Sequence, residues 1–155
     1  METKLAMLRF YNYDIVFIEI PDEISLAINI TGCPNRCKGC HSPHLQENIG
    51  EILTKEILEE LMCLYGSAIT CVCFMGGDSE PEEVVRLARI VRQINKEIKT
   101  AWYSGRDKLP EDLPVGEFNY IKIGRYIESL GGLKSKTTNQ RLYKVEKLLL
   151  SEVVI

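Results

Sequence analysis

Three cysteines, Cys33, Cys37 and Cys40, fall within eight residues of the stretch Ile30 to His44, ITGCPNRCKGCHSPH, which also contains His41 and ends in His44. Thiolates this close together can wrap one metal centre. Gly32 and Gly39 permit the tight turns such a wrap needs, and Pro34 stiffens the first of them. Four chemistries compete. A disulfide is disfavoured, because the chain shows no export signal and clustered cysteines in a reducing compartment bind metal or do redox work instead. Structural zinc wants four ligands. His41 or His44 could be the fourth, but no second Cys-x2-Cys or His-x3-5-His pair completes a finger, and His41 is the immediate neighbour of Cys40. Cys37 to His41, CKGCH, spells the Cys-x-x-Cys-His of haem attachment, yet that attachment belongs mainly to exported proteins and leaves Cys33 without a role. An iron-sulfur cubane normally takes four thiolates. Three in one loop leave one iron open to a further ligand.

The surrounding elements decide what positions this loop. Ser25 to Ile30, SLAINI, is a short apolar strand that runs straight into it. Met7 to Ile20, MLRFYNYDIVFIEI, has two β-rich runs around a polar YNYD and reads as an N-terminal hairpin or a pair of extended segments, followed by a Pro21-Asp22 turn. From Thr54, TKEILEELMCLYG has a threonine N-cap, apolar residues at Ile57, Leu58, Leu61, Met62 and Leu64, and Gly66 as terminator, so it reads as an amphipathic helix. Ala68 to Met75, AITCVCFM, is apolar almost throughout, as in a parallel strand buried on both faces, and ends at Gly76-Gly77-Asp78. Pro81 opens a second helix, PEEVVRLARIVRQINKE, with Val84, Val85, Leu87, Ala88, Val91 and Ile94 at helical spacing. KTAWYSG and FNYIKIG follow as strands ending in glycine, joined by the polar DKLPEDLP. NQRLYKVEKLLL reads as a last strand or a helix.

This alternation predicts an α/β fold with a parallel sheet, in one domain spanning residues 1–155. In such folds ligands bind beyond the carboxyl ends of the strands. Four of those ends carry residues of interest: the cysteine loop, Gly76-Gly77-Asp78, Ser104-Gly105 and Gly124-Arg125. A hydrophobic content of 45%, 26% charged residues and a net charge of -3 fit a soluble globular chain and argue against a broad basic face for nucleic acid. Nothing approaches the roughly 18 consecutive apolar residues of a membrane span. The expected location is cytoplasmic.

The loop GCPNRCKGCHSP, Gly32 to Pro43, its place after a strand, and Gly76-Gly77-Asp78 one βα unit later together resemble the radical S-adenosylmethionine superfamily. There the Cys-x3-Cys-x2-Cys loop follows the first strand of a (β/α) barrel or part-barrel and holds a 4Fe-4S cluster, whose open iron chelates the amino and carboxylate groups of S-adenosylmethionine. The resemblance implies Cys33, Cys37 and Cys40 as metal ligands, and Gly76, Gly77, Asp78, Cys40, His41 and Ser104 as cofactor-binding residues. Glycines admit a ligand to the backbone, and a carboxylate answers an ammonium. Glu80 is the other carboxylate able to take that part. A chain of this length supplies about five or six mainly parallel strands, so the expected architecture is an open partial (β/α) barrel with an N-terminal hairpin.

Within the superfamily, Gly39 before the third cysteine, the compact length, and TTNQRLYKV, Thr137 to Val145, which is similar to a Ser-x-Asn-Gln-Arg segment, resemble the activating proteins of anaerobic ribonucleoside-triphosphate reductases. That likeness implies reductive cleavage of S-adenosylmethionine and generation of a glycyl radical on the reductase. The implied partners are the large reductase subunit and a flavodoxin-like or other one-electron donor, with no nucleic acid and no membrane. A small-molecule enzyme of the 7-carboxy-7-deazaguanine synthase type and a non-catalytic metal-binding module are the competing readings.

Simpler roles compete at individual residues. Gly76-Gly77-Asp78 taken alone is also an ordinary strand-to-helix turn with a capping aspartate. Cys63, on the apolar side of the first helix, and Cys71 and Cys73, alternating along a buried strand, are expected to be core thiols. His41 and His44 suit local hydrogen bonds in the loop as well as contact with a cofactor. Asn139, Gln140 and Arg141 could bind a partner backbone or the cofactor, or simply form a polar turn. Lys134, Lys136, Arg141 and Lys144 form a modest basic stretch, ordinarily a solvated face.

Overall fold

The structure, a computed structural model, describes residues 7–34, 47, 49–146 and 149–153. Arg9–Val16 (β1) continues as one strand, with a register shift between Phe10 and Asn12, through the polar Tyr11-Asn12-Tyr13-Asp14 and returns through Pro21-Asp22 to pair antiparallel with Ser25–Ile30 (β2). The expected N-terminal hairpin is therefore formed by β1 and β2, not within residues 7–20. The reason is the place of β1 near a sheet edge. Its outer neighbour, Glu51–Ile52 (β3), pairs only with Arg9 and Phe10. Tyr11, Asn12 and Asp14 thus remain exposed, and polarity there costs nothing. Asn29 Nδ2 donates to Asn12 Oδ1 across the pair at 2.6 Å.

Lys55–Tyr65 (α1) starts as its sequence dictates, with Thr54 Oγ1 accepting from Ile57 N at 3.3 Å, and closes at Gly66. Cys71–Met75 (β4) leads through the double glycine to Pro81–Ile94 (α2), whose first turn carries proline and two glutamates, a composition that suits the positive end of the helix dipole. Lys99–Tyr103 (β5) and Tyr120–Ile123 (β6) follow, with a single 3-10 turn at Val115–Glu117 between them. The ambiguous C-terminal segment is a hairpin of Arg141–Glu146 (β7) and Leu149–Glu152 (β8).

Among the described residues the sheet has eight strands in the order β3-β1-β2-β4-β5-β6-β7-β8. β2, β4, β5 and β6 are mutually parallel. The pairings on either flank are antiparallel. This corrects the expected five or six mainly parallel strands: a parallel centre of four is bordered on each side by two antiparallel strands. The sheet is open, and no closed barrel forms among the described residues. The difference has a local cause. β2, β4, β5 and β6 are linked by crossovers through α1, α2 and the connection of residues 104–119, which holds no α-helix, whereas β1 turns back onto β2 through Pro21-Asp22 and β7 turns back onto β8, which allows antiparallel return.

Strand parity divides the sheet. Leu26 and Ile28, Val72 and Phe74, Trp102 and Ile121 face α1 and α2 in the main core. The opposite face holds a smaller core of Ile20, Cys71, Cys73, Ala101, Tyr120 and Leu142, with Met75, Tyr103, Leu133 and Val153 packed against it. At the amino end of the parallel strands lies a buried carboxylate, Glu23. Thr70 Oγ1 donates to its Oε1 at 2.8 Å, and Lys99 Nζ and Tyr120 OH both donate to Oε2 at 2.7 Å. No helix among the described residues is long and apolar enough to cross a membrane.

Candidate iron-sulfur site

The cysteine-bearing stretch leaves the sheet at the carboxyl end of β2 and returns to it through a hydrogen-bonded neck. Thr31 N donates to Arg9 O at 2.8 Å, and Thr31 Oγ1 to Ile49 O at 2.7 Å. Gly32, with φ 72°, donates its N–H to Glu47 O at 3.0 Å. Cys33 follows directly, half-buried, so its thiol is not sealed in the core.

Beside it stands the end of β4. Gly76 and Gly77 have φ of 114° and 98°, in the region that favours glycine. A Cβ on Gly77 would lie 2.5 Å from Val84 Cγ2, and one on Gly76 would lie 3.1 Å from Ile30 O. The two glycines thus let β4 close onto both the end of β2 and the start of α2. Asp78 does not cap α2, whose N-cap is Glu80. Its carboxylate reaches across to β5 instead: Ser104 Oγ donates to Oδ1 at 2.6 Å and Gly105 N to Oδ2 at 2.8 Å. Asp78→Asn must turn an N–H toward Ser104 or Gly105. It is expected to cost about 1–2 kcal/mol, measured as a fall of a few degrees in melting temperature.

The network continues along the rim. Lys122, buried near the end of β6, donates its Nζ to Ser104 O at 3.1 Å and to Gly124 O at 3.0 Å, with the Tyr103 ring 5.9 Å from the ammonium. Strand register sets Asn29, Met75, Tyr103 and Lys122 side by side across β2, β4, β5 and β6, on the face away from the helices. Sequence reasoning missed Lys122. The available signal was parity: a lysine between Ile121 and Ile123 inside a strand of the sheet's parallel centre.

The 4Fe-4S single cluster domain family model matches residues 24–109, more than half of the chain. The chain belongs to this family. The model is found in proteins related to the radical S-adenosylmethionine enzymes. No curated protein and no solved structure matches the chain.

The matched part of this 4Fe-4S single cluster domain takes in the cysteine stretch, Gly76-Gly77-Asp78 and Ser104-Gly105. Lys122, Gly124 and residues 139–141 lie beyond it. The structure brings Cys33, Gly76, Gly77, Asp78 and Ser104 to one end of the sheet, with Asp78 and Ser104 hydrogen-bonded to each other. Cys37, Cys40, His41 and His44 lie outside the described residues. Glu80 serves as a helix cap position, its N–H donating to Gly77 O at 3.0 Å.

The remaining thiols separate into two kinds. Cys71 and Cys73 are fully buried, as expected of core residues. Burial pushes the Cys71 thiol up to about 12 and Cys73 well above its ordinary value, so both stay protonated and neither suits a metal-ligand role. Cys63 is a correction: it is exposed. The buried stripe of α1 is Leu58, Leu61 and Met62, and at about 100° per residue Cys63 and Leu64 turn out of it. Donor chemistry favours the cysteine stretch as the cluster site, because thiolates suit iron and Cys33 is placed on an accessible strand end.

Proposed function

We propose that this 4Fe-4S single cluster domain is a radical S-adenosylmethionine enzyme, and that its reaction is the activation of an anaerobic ribonucleoside-triphosphate reductase. The observation that carries the reading is the joined strand ends. Cys33, the double glycine, Asp78 and Ser104 follow three different strands and meet on the end of a parallel sheet where α/β folds bind ligands.

Cys33, Cys37 and Cys40 would hold the cluster. Bound there, the cluster and S-adenosylmethionine would supply a one-electron cleavage to methionine and a 5′-deoxyadenosyl radical able to take a hydrogen atom from a glycine Cα. Gly76 and Gly77 keep side chains off the backbone at the end of β4. Asp78 fixes Ser104 and Gly105, so the ends of β4 and β5 form one rigid edge. Lys122 gives that edge a buried positive charge, suited to the carboxylate of an amino-acid ligand. A flavodoxin-like or other one-electron donor would supply the electron.

Anaerobic reconstitution followed by dithionite and S-adenosylmethionine is expected to yield 5′-deoxyadenosine. Adding the reductase large subunit is expected to give a glycyl doublet in electron spin resonance. Stoichiometric zinc with no 5′-deoxyadenosine would overturn the enzyme reading. Cleavage without the doublet would overturn the activase and favour a small-molecule substrate.

A further inference from the structure

The connection between β6 and β7 holds a buried polar atom that no described residue partners. Asn139 Nδ2 donates to Arg125 O at 3.0 Å, which fixes the amide and turns its oxygen the other way. That oxygen, Oδ1, is buried and accepts no hydrogen bond among the described residues. Such groups are rare, because an unpaired buried acceptor gives up the hydrogen bonds that water would supply. Its neighbour Gln140 is buried and donates Nε2 at 3.3 Å to Gly124 O, the same carbonyl that holds Lys122. Asn139 is therefore tied to the end of the sheet that carries Asp78 and Ser104.

The basic stretch noted in the sequence divides in two. Arg141 meets Glu152 at 3.3 Å and Lys144 meets Glu146 at 3.3 Å, so both are paired on the β7-β8 hairpin. Lys134 and Lys136 are exposed and have no ion pair among the described residues. Arg125, also exposed, has Asp107 at 3.7 Å. Between Arg125 and Asn139 the sole acid is Glu128, so this connection is basic in a chain of net charge -3.

We propose that the connection from Gly124 to Gln140 docks a polypeptide substrate, with Asn139 Oδ1 accepting a backbone N–H and Lys134 and Lys136 meeting acidic side chains on either side of it. The proposal rests on the reading of the chain as an enzyme that acts on a polypeptide. Oδ1 offers an acceptor alone, which disfavours phosphate or carboxylate as its ligand, while a backbone amide supplies the matching neutral donor. Since Oδ1 is covered in the unbound chain, docking must shift its cover.

The test is fluorescence anisotropy of a labelled peptide spanning the glycine-bearing loop of an anaerobic reductase, titrated with the reconstituted full chain. Saturable binding that weakens with salt is expected. Asn139→Ala is expected to raise Kd about tenfold, and the Lys134→Ala, Lys136→Ala double variant about threefold with a shallower salt dependence. Melting curves report folding. Should Asn139→Ala not fold, the lysine variant decides the question. Absence of binding by the parent chain, or an unchanged Kd in both variants, overturns the proposal. So does an equal rise in Kd for S-adenosylmethionine in Asn139→Ala, because Asn139 would then serve the cofactor. Peptide binding without 5′-deoxyadenosine formation by the parent chain would fail the enzyme reading and leave the docking surface standing.

Discussion

Cys33→Ala is expected to give a folded chain that no longer retains iron and forms 5′-deoxyadenosine at less than about a hundredth of the parent rate. Folding and loading separate at this position. Cys33 is half-buried at the mouth of its stretch, whereas the main core is built from β2, β4, β5 and the two helices. Removing one thiol deletes a ligand without opening a core cavity. Iron content and the charge-transfer absorption of the reconstituted protein measure the first effect, product chromatography the second, and circular dichroism the retained fold. A variant that kept both iron and turnover would remove Cys33 from the ligand set. A variant that unfolded would mean that the stretch supports the sheet.

The second large effect lies at the opposite end of the molecule. Glu23→Ala is expected to destabilise the chain by about 3 kcal/mol, a fall of roughly 10 °C in melting temperature, because it leaves three donors from β4, β5 and β6 or their approaches without their acceptor. The Lys99 side chain is half-exposed, so its share is screened and the Tyr120 and Thr70 bonds carry most of the loss. Burial tends to raise the Glu23 pKa. The hydrogen bonds from Lys99, Tyr120 and Thr70 outweigh it and hold the carboxyl below its ordinary 4.5. A carboxyl with a lowered folded pKa contributes stability that is fully present above the unfolded value and is lost as pH falls through the folded one. The gap between parent and Glu23→Ala should therefore be full near neutrality and close below about pH 4.5. A gap that widened in acid would reverse this account.

Much of this architecture can be read from local pattern. Thr54 and Gly66 bound α1 because capping is short-range chemistry. The near-continuous apolar run of β4 marks a strand buried on both faces. The placement of glycines after β4 and β6 marks chain reversals. Other features are not local. β1 passes through YNYD because β3 is too short to cover it, and no window of residues 7–20 contains that fact. The antiparallel flanks depend on which sheet edge each outer segment reaches, which no local window contains. Cys63 needed its helical phase fixed by Leu58, Leu61 and Met62 before it could be placed in solvent.

The candidate site was legible in the same uneven way. Spacing and order along the chain single out the cysteines, the double glycine and Asp78. The union of Asp78 with Ser104 is a contact between residues 26 positions apart that register alone creates. Lys122 and Gln140 look unremarkable in sequence, and they acquire meaning because both converge on Gly124 O.

The neck formed by Thr31, Gly32, Glu47 and Ile49 bears on the order of maturation. With both ends of the cysteine stretch already fixed to the sheet, the entropy of closing that stretch is met by the fold and not by the metal. The main buried core lies in the sheet and its two helices, apart from that stretch, unlike the small domains that gain their structure only when metal arrives. Oxidative loss of the cluster would then leave that core unopened.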